Sequence, residues 1–281
     1  MKRVIVTFVS VVISVSLSFG QKAIEVEKTG SGTPVIFLPG FGTPGAVWNE
    51  TVQNLAGSFE SHLVTYAGFN GLAPIGTPWY APIKDELIAY VKLQGLTNVT
   101  LVGHSMGGNL AVDLAAALPE QISGLILVES IPCMRELMMP GVPASSLQYD
   151  SPYNNQMIEM SDEAFRQMAE GMCSNMTLNV SKAEVLTGYF MKADRKTYVY
   201  GYTDLLKLDL RESLREISIP TLILGAPFPD KNVVLDNYEK QYANLTTKNI
   251  IIAENSKHFI MFDQPTWLYE HINKYLSQHA N

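Results

Sequence analysis

The pentapeptide Gly103-His104-Ser105-Met106-Gly107 has the pattern of a turn that presents a nucleophilic serine. It directly follows an apolar, β-type run that ends at Val102, and it directly precedes an Ala/Leu-rich run typical of a helix. Such a strand-to-helix turn holds its serine in a strained backbone conformation and leaves no room for a Cβ atom at either glycine. The pattern predicts that Ser105 is exposed above a sheet and that the Met106 N–H, at a helix N-terminus, faces an oxyanion formed there.

Strands and helices alternate along much of the chain. Apolar runs predict strands over 23–27, 34–38, 62–66, 99–102, 123–129, 220–225 and 249–253, and helical spacing predicts helices over 46–55, 82–93, 109–118, 233–242 and 265–276. This alternation predicts an α/β fold with a mostly parallel sheet and helices on both faces. Ligands of such sheets bind at the carboxyl ends of the strands, which is where Ser105 falls.

One long segment, 131–206, interrupts the alternation. It has no clear strand and several weak helical patterns, and we predict that it forms a helical lid over the site. Nine of the twelve methionines lie in it: Met134, Met138, Met139, Met157, Met160, Met168, Met172, Met176 and Met191. Flexible thioether side chains suit an adaptable apolar surface, although for any single methionine we favour packing inside the lid itself. The predicted core is therefore 21–130 together with 207–281.

Three motifs, in this order and spacing, resemble the α/β-hydrolase superfamily over nearly the whole mature chain. They are Leu38-Pro39-Gly40-Phe41-Gly42, then Gly103 to Gly108, then Lys257-His258-Phe259 followed by Asp263-Gln264-Pro265. The resemblance implies the α/β-hydrolase fold, with the lid inserted after the sixth strand. It also implies that His258, on a loop after the last strand, is the base that a serine nucleophile needs.

The resemblance further implies that the backbone N–H of Phe41 is the second oxyanion donor beside that of Met106. The family often has His-Gly where this chain has Pro39-Gly40, but this difference does not remove the donor, because the donor is the backbone N–H of Phe41. His104 adjoins Ser105, yet its side chain should point away, and we interpret it as a packing residue. We interpret the remaining histidines as surface or structural residues: His62, His271 and His279.

The acid that would orient His258 has two candidates. The family usually places it in a Gly-x-x-Asp pattern after the strand 220–225, but Phe228 stands at that position here and Asp230 follows two residues later. A minority of the family, including some haloalkane dehalogenases, places the acid at the end of the sixth strand, where this chain has Glu129, 24 residues after Ser105. We favour Glu129 and keep Asp230 as the alternative. Without a catalytic role, Glu129 would bond to loop N–H groups, and Asp230 would cap the following helix.

The first twenty residues have the pattern of a cleavable secretory signal peptide. Met1-Lys2-Arg3 is basic, the run from Val4 to Leu17 is apolar, and Ser18-Phe19-Gly20 supplies small residues before a cleavage site at Gln21. The alternative is a membrane anchor, but the run is short and rich in Ser and Thr. We therefore expect a secreted or periplasmic protein.

Charge and cysteine content indicate which partners and cross-links the chain can have. It is 47% hydrophobic and 17% charged with a net charge of −7, and no basic cluster indicates nucleic acid as a partner. The two cysteines, Cys133 and Cys173, have no metal-like spacing. In an exported protein they either form a disulfide or remain separate buried thiols, and the sequence leaves both possibilities open.

Together these features predict an exported serine hydrolase that cleaves a carboxylic ester of modest size, with an apolar part, through an acyl-enzyme intermediate. The substrate would be a small molecule, and the chemistry needs neither a metal nor an organic cofactor. The same fold supports lactonases, amidases, thioesterases, C–C hydrolases and cofactor-free haloperoxidases, which the sequence does not separate. A ligand-binding protein with little turnover is the rival from another class.

Overall fold

The computed structural model describes residues 22–279, and the predicted signal peptide lies outside them. Its strands are β1 (Ile24–Gly30), β2 (Thr33–Leu38), β3 (Phe59–Tyr66), β4 (Val99–His104), β5 (Ile122–Val128), β6 (Thr221–Gly225) and β7 (Lys248–Ile252). Its helices are α1 (Asn49–Gln53), α2 (Tyr80–Leu93), α3 (Met106–Ala117), α4 (Met134–Met138), α5 (Pro152–Glu159), α6 (Asp162–Met176), α7 (Val180–Met191), α8 (Arg195–Lys207), α9 (Lys231–Gln241), α10 (Ile260–Asp263) and α11 (Pro265–His279).

The strands form one seven-stranded sheet in the order β1-β3-β2-β4-β5-β6-β7. Every neighbouring pair is parallel except β1 and β3, which are antiparallel. All residues of β4 and β6 are buried, as expected for parallel strands covered by helices on both faces. The predicted α/β-hydrolase fold is confirmed, and the sheet aligns the carboxyl ends of β2, β4, β5 and β6 along one edge.

Alternate residues of the strands pack into two hydrophobic clusters, one on each face of the sheet. On β2, Ile36 and Leu38 belong to one cluster, whereas Val35 and Phe37 belong to the other. This period of two follows from the pleat of a strand. The expected helix over 46–55 is instead a 3₁₀ turn at Gly45–Trp48 followed by the five-residue helix α1.

The segment 131–206 contains α4 to α7, a short 3₁₀ turn at Ala144–Ser146 and nearly all of α8. It follows β5, which is the sixth strand in the family count and the fifth in the described part of this chain. Most of its methionines pack within or beneath the segment, as Met157 does among buried side chains. Met134 and Met138 differ, because they line the cavity that contains Ser105.

Both cysteines are free thiols in the structure. Cys133 and Cys173 are each buried, the first just before α4 and the second within α6. Burial raises the pKa of the Cys173 thiol to about 11, so it stays protonated at neutral pH. No helix between residues 22 and 279 is long and apolar enough to cross a membrane.

Candidate active site

Ser105 occupies the turn between β4 and α3 in a conformation that is rare for a residue with a side chain. Its φ is 53° and its ψ is −122°. A Cβ atom on Gly103 would overlap the carbonyl of Gly107, and one on Gly107 would overlap the carbonyl of Leu38. Since the turn is this tight, both glycines are required, and Ser105 is left half-buried at the wall of a cavity.

The loop after β2 lies directly against Ser105. An ideal Cβ on Gly40 would lie 3.3 Å from the Ser105 Cβ atom, so the loop that carries the Phe41 amide contacts the serine turn. Met106 is the first residue of α3, and its N–H therefore has no partner within the helix. Among residues 22–279, no protein acceptor takes either amide, which leaves both available to an oxyanion.

The structure brings Glu129, rather than Asp230, to His258. Glu129 follows β5 directly, has a φ of 48°, and places its Oε2 3.2 Å from Nδ1 of His258. Its other oxygen, Oε1, accepts hydrogen bonds from the Ala226 amide at 2.5 Å and from the Tyr238 hydroxyl at 3.0 Å. Asp230 instead caps α9, where it accepts from the amides of the next turn at 2.9 and 3.2 Å.

Sequence reasoning missed Tyr238. It was only one residue of a predicted helix, and nothing local indicates that its hydroxyl reaches a strand end 109 residues away. Burial, followed by the adjacent charge of Glu129, raises the pKa of Tyr238 well above 10. The hydroxyl thus remains protonated and can act as a permanent donor to the carboxylate.

His104 is buried, as expected for a packing residue, but it also contacts the loop of the base. Its Nε2 donates to the backbone carbonyl of His258 at 2.9 Å. Burial lowers the pKa of His104 well below 6.5, so its imidazole is neutral. Two of the other histidines bond elsewhere: His62 Nδ1 to the Tyr90 hydroxyl and His271 Nδ1 to a carbonyl within α11. His279 packs on a neighbouring ring in α11.

The cavity at Ser105 has a volume of about 220 Å³ and is mainly apolar. Glu129 and His258 also line it, together with the amide side chains of Asn109 and Asn237. The segment 131–206 contributes five apolar residues to its wall: Ile131, Met134, Leu137, Met138 and Leu205. In the part of the chain that the structure describes, no group of three or more His, Cys, Asp or Glu side chains is placed to hold a metal.

Comparison with known proteins identifies the family of this chain. The sequence model of the alpha/beta hydrolase family matches residues 35–271. The chain belongs to the α/β-hydrolase family. A pimeloyl-[acyl-carrier protein] methyl ester esterase of Aeromonas salmonicida is 31% identical over 210 residues, which cover 71% of this chain and 78% of that relative.

Two further proteins resemble this α/β hydrolase over most of their length. A pimeloyl-[acyl-carrier protein] methyl ester esterase of Wigglesworthia glossinidia brevipalpis is 26% identical over 263 residues, covering 90% of this chain and 96% of the relative. The solved structure of an esterase from Exiguobacterium antarcticum has a TM-score of 0.74 and 21% identity, covering 91% of this chain and 98% of that one. The last comparison shows a common fold.

Proposed function

We propose that this α/β hydrolase is a serine esterase that works through an acyl-enzyme intermediate. The observation that carries the proposal is the 3.2 Å approach of Glu129 Oε2 to His258 Nδ1, at a cavity that Ser105 also lines. Ser105 would attack the ester carbonyl as His258 takes its proton, and His258 would then protonate the departing alcohol. The same histidine would activate the water that releases the acid.

Glu129 would have two effects on His258. Its carboxylate accepts a hydrogen bond from Nδ1–H, which keeps the proton on Nδ1, so that Nε2 is unprotonated and can take the proton of Ser105. Its negative charge then stabilises the imidazolium that forms. The amides of Phe41 and Met106 would hold the negative oxygen of the tetrahedral intermediate, an interaction that typically contributes about 3–4 kcal/mol per donor.

The cavity favours an ester whose acyl part is apolar and uncharged. Among its described lining residues none is Lys or Arg, and Glu129 is the only carboxylate. A carboxylate on the substrate would therefore lose its hydration without gaining a cationic partner. The curated relatives are named for the cleavage of a methyl ester, which supports a carboxylic ester with a small alcohol portion. The apolar wall from 131–206 supports the proposal that this segment is a lid over the bound acyl chain.

A fluorophosphonate probe tests the enzyme proposal directly, because it reacts with activated serines. We expect stoichiometric labelling of Ser105, loss of labelling in Ser105→Ala, and turnover of methyl and p-nitrophenyl esters of graded acyl length. Lactones, amides and thioesters tested in parallel separate the other chemistries of the fold. A folded protein that binds such compounds but neither labels nor turns them over would be a ligand-binding protein, and the proposal would be wrong.

We also propose that the chain is exported after removal of residues 1–20. The support is the order of basic, apolar and small residues that ends at Gly20. N-terminal sequencing of protein recovered from the periplasm or the medium should begin at Gln21. Retention in membranes with Met1 intact would instead favour the anchor.

A further inference from the structure

The loop that carries His258 is held by its backbone on both sides of the histidine. The amide before it, on Lys257, donates to Asp263 Oδ2 at 2.8 Å. The amide after it, on Phe259, donates to the carbonyl of Met176 at 3.0 Å. Since Met176 is the last residue of α6, one of these two bonds comes from the helical segment 131–206.

Asp263 connects the same loop to that segment a second time. Its other oxygen, Oδ1, accepts from the hydroxyl of Thr177 at 2.5 Å and from the amide of Leu178 at 2.8 Å. Thr177 and Leu178 form the junction between α6 and α7, and Thr177 is only 3% exposed. We call Asp263 with its three donors, on Thr177, Leu178 and Lys257, the Asp263 bridge.

The side chain of Lys257 adds a further contact at the same place. Its Nζ donates to the carbonyl of Ser174, in the last turn of α6, at 2.9 Å. The carbonyls of a last helical turn have no partner within the helix and carry partial negative charge, so a lysine there is favourable. Four hydrogen bonds therefore connect residues 257–263 to the end of α6 and the junction that follows, and two of them share Asp263 Oδ1.

We propose that Asp263 is a positioning residue for His258, and that the α6–α7 junction sets the position of this base through the Asp263 bridge. The proposal rests on the proposed esterase function, in which Nε2 of His258 must reach Ser105. Displacement of a catalytic group by about 1 Å can cost about 100-fold in rate. A segment expected only to cover the substrate would thus also determine the geometry of catalysis.

Asp263→Asn is the primary variant, because it keeps the size of the side chain but cannot satisfy the bridge. The three donors need both carboxylate oxygens, whereas an amide offers one oxygen and presents N–H groups to the remaining donor. Thr177→Val removes the hydroxyl from the α6–α7 junction, and Thr177→Ser keeps it. Thr177→Val therefore alters the bridge without touching Asp263, and Thr177→Ser is its control.

Asp194→Asn is the matched control. Asp194 Oδ1 also accepts from a threonine hydroxyl and a backbone amide, both of Thr197 at 2.8 Å, but at the start of α8. Among the described residues it makes no hydrogen bond to the loop of His258. The control therefore makes the same Asp-to-Asn change within the same segment, away from the loop of His258, and its asparagine keeps the one oxygen that Thr197 uses.

Two measurements test the positioning role of Asp263: steady-state kinetics, and hydrogen exchange, which does not depend on activity. We expect kcat for an ester to fall about 10- to 100-fold in Asp263→Asn with KM nearly unchanged, and less in Thr177→Val, with Thr177→Ser close to wild type. Hydrogen exchange at the amides of Lys257 and Phe259 should accelerate at least tenfold relative to the core amide of Leu127. Asp194→Asn should change neither quantity.

Unchanged exchange at Lys257 and Phe259 in Asp263→Asn would overturn the bridge, whatever the activity. Faster exchange with wild-type kcat would overturn the positioning role. If kcat is normal in Thr177→Val but reduced in Asp263→Asn, the α6–α7 junction does not position His258, and that part of the proposal is wrong. If the wild-type protein cleaves no ester, the proposed function is wrong, and the exchange data still decide whether the bridge holds the loop.

Discussion

Glu129→Gln removes the negative charge next to His258 while it keeps the shape of the side chain. The amide oxygen of glutamine can still accept from Ala226 and Tyr238, at the position that Oε1 occupies now. Its NH₂ group would then face Nδ1 of His258 and donate where the carboxylate accepted. The proton of the imidazole would move to Nε2, which is the wrong tautomer to accept a proton from Ser105.

The size of the effect follows from the distance between the two groups. At 3.2 Å and an effective dielectric constant of about 20, a full ion pair is worth about 5 kcal/mol. His258 is 30% exposed, so water screens part of this, and we take about 3–5 kcal/mol for the transition state. Since about 1.4 kcal/mol corresponds to a factor of ten, kcat should fall about 10²- to 10⁴-fold.

The assay compares steady-state hydrolysis of one p-nitrophenyl ester by wild type, Glu129→Gln and Asp230→Asn. Asparagine caps helices as well as aspartate does, so Asp230→Asn should retain kcat within about twofold. Urea denaturation of each variant separates a loss of catalysis from a loss of folding. The reasoning is refuted if Glu129→Gln stays within about threefold of wild type, or if Asp230→Asn carries the large loss.

Two more predictions concern stability and the nucleophile turn. Burial keeps the pKa of His104 well below 6.5, so the unfolded chain binds a proton that the folded chain does not, and the free energy of unfolding should fall as pH drops below about 6.5. His104→Gln can keep a donor toward the carbonyl of His258 but has no group that titrates in this range. In urea denaturation at pH 5 to 8, this variant should therefore show a pH dependence of the free energy of unfolding that is weaker by up to about 1.4 kcal/mol per pH unit. An unchanged pH dependence would contradict this prediction. Gly107→Ala places a methyl group on the Leu38 carbonyl and should cost about 1–3 kcal/mol with loss of fluorophosphonate labelling. Gly188→Ala, in open space on α7, is its control and should leave labelling intact; equal labelling of both variants would mean that the turn has more room than the structure gives it.

The fold was predictable because its signals are local. Each parallel strand is a short apolar run, and the turn at Ser105 is contained in five consecutive residues. The orientation of β1 was not predictable, since an antiparallel edge strand and a parallel one have the same local pattern. The helical character of 131–206 was predictable because it depends on local sequence. The contacts of its helices with the rest of the chain were not predictable, because they join distant residues.

Spacing favoured Glu129 but could not exclude Asp230. Both follow neighbouring parallel strands, whose carboxyl ends meet at the same edge of the sheet. What separates them is the set of donors around each carboxylate, which depends on how α9 and the loop after β6 are folded. The contacts of Tyr238 and Asp263 were missed for the same reason, because their partners are distant in sequence: Thr177, for example, is 86 residues from Asp263.

The two free, buried thiols have a consequence for how this protein can be handled. Because Cys133 and Cys173 are not joined, the fold contains no covalent cross-link for an oxidising compartment to supply. Reducing agents should accordingly leave the unfolding transition where it is, because the fold needs no disulfide. Activity recovered from the cytoplasm of an expression host would then reflect the native catalyst, and the question of where the protein works could be studied separately from whether it folds.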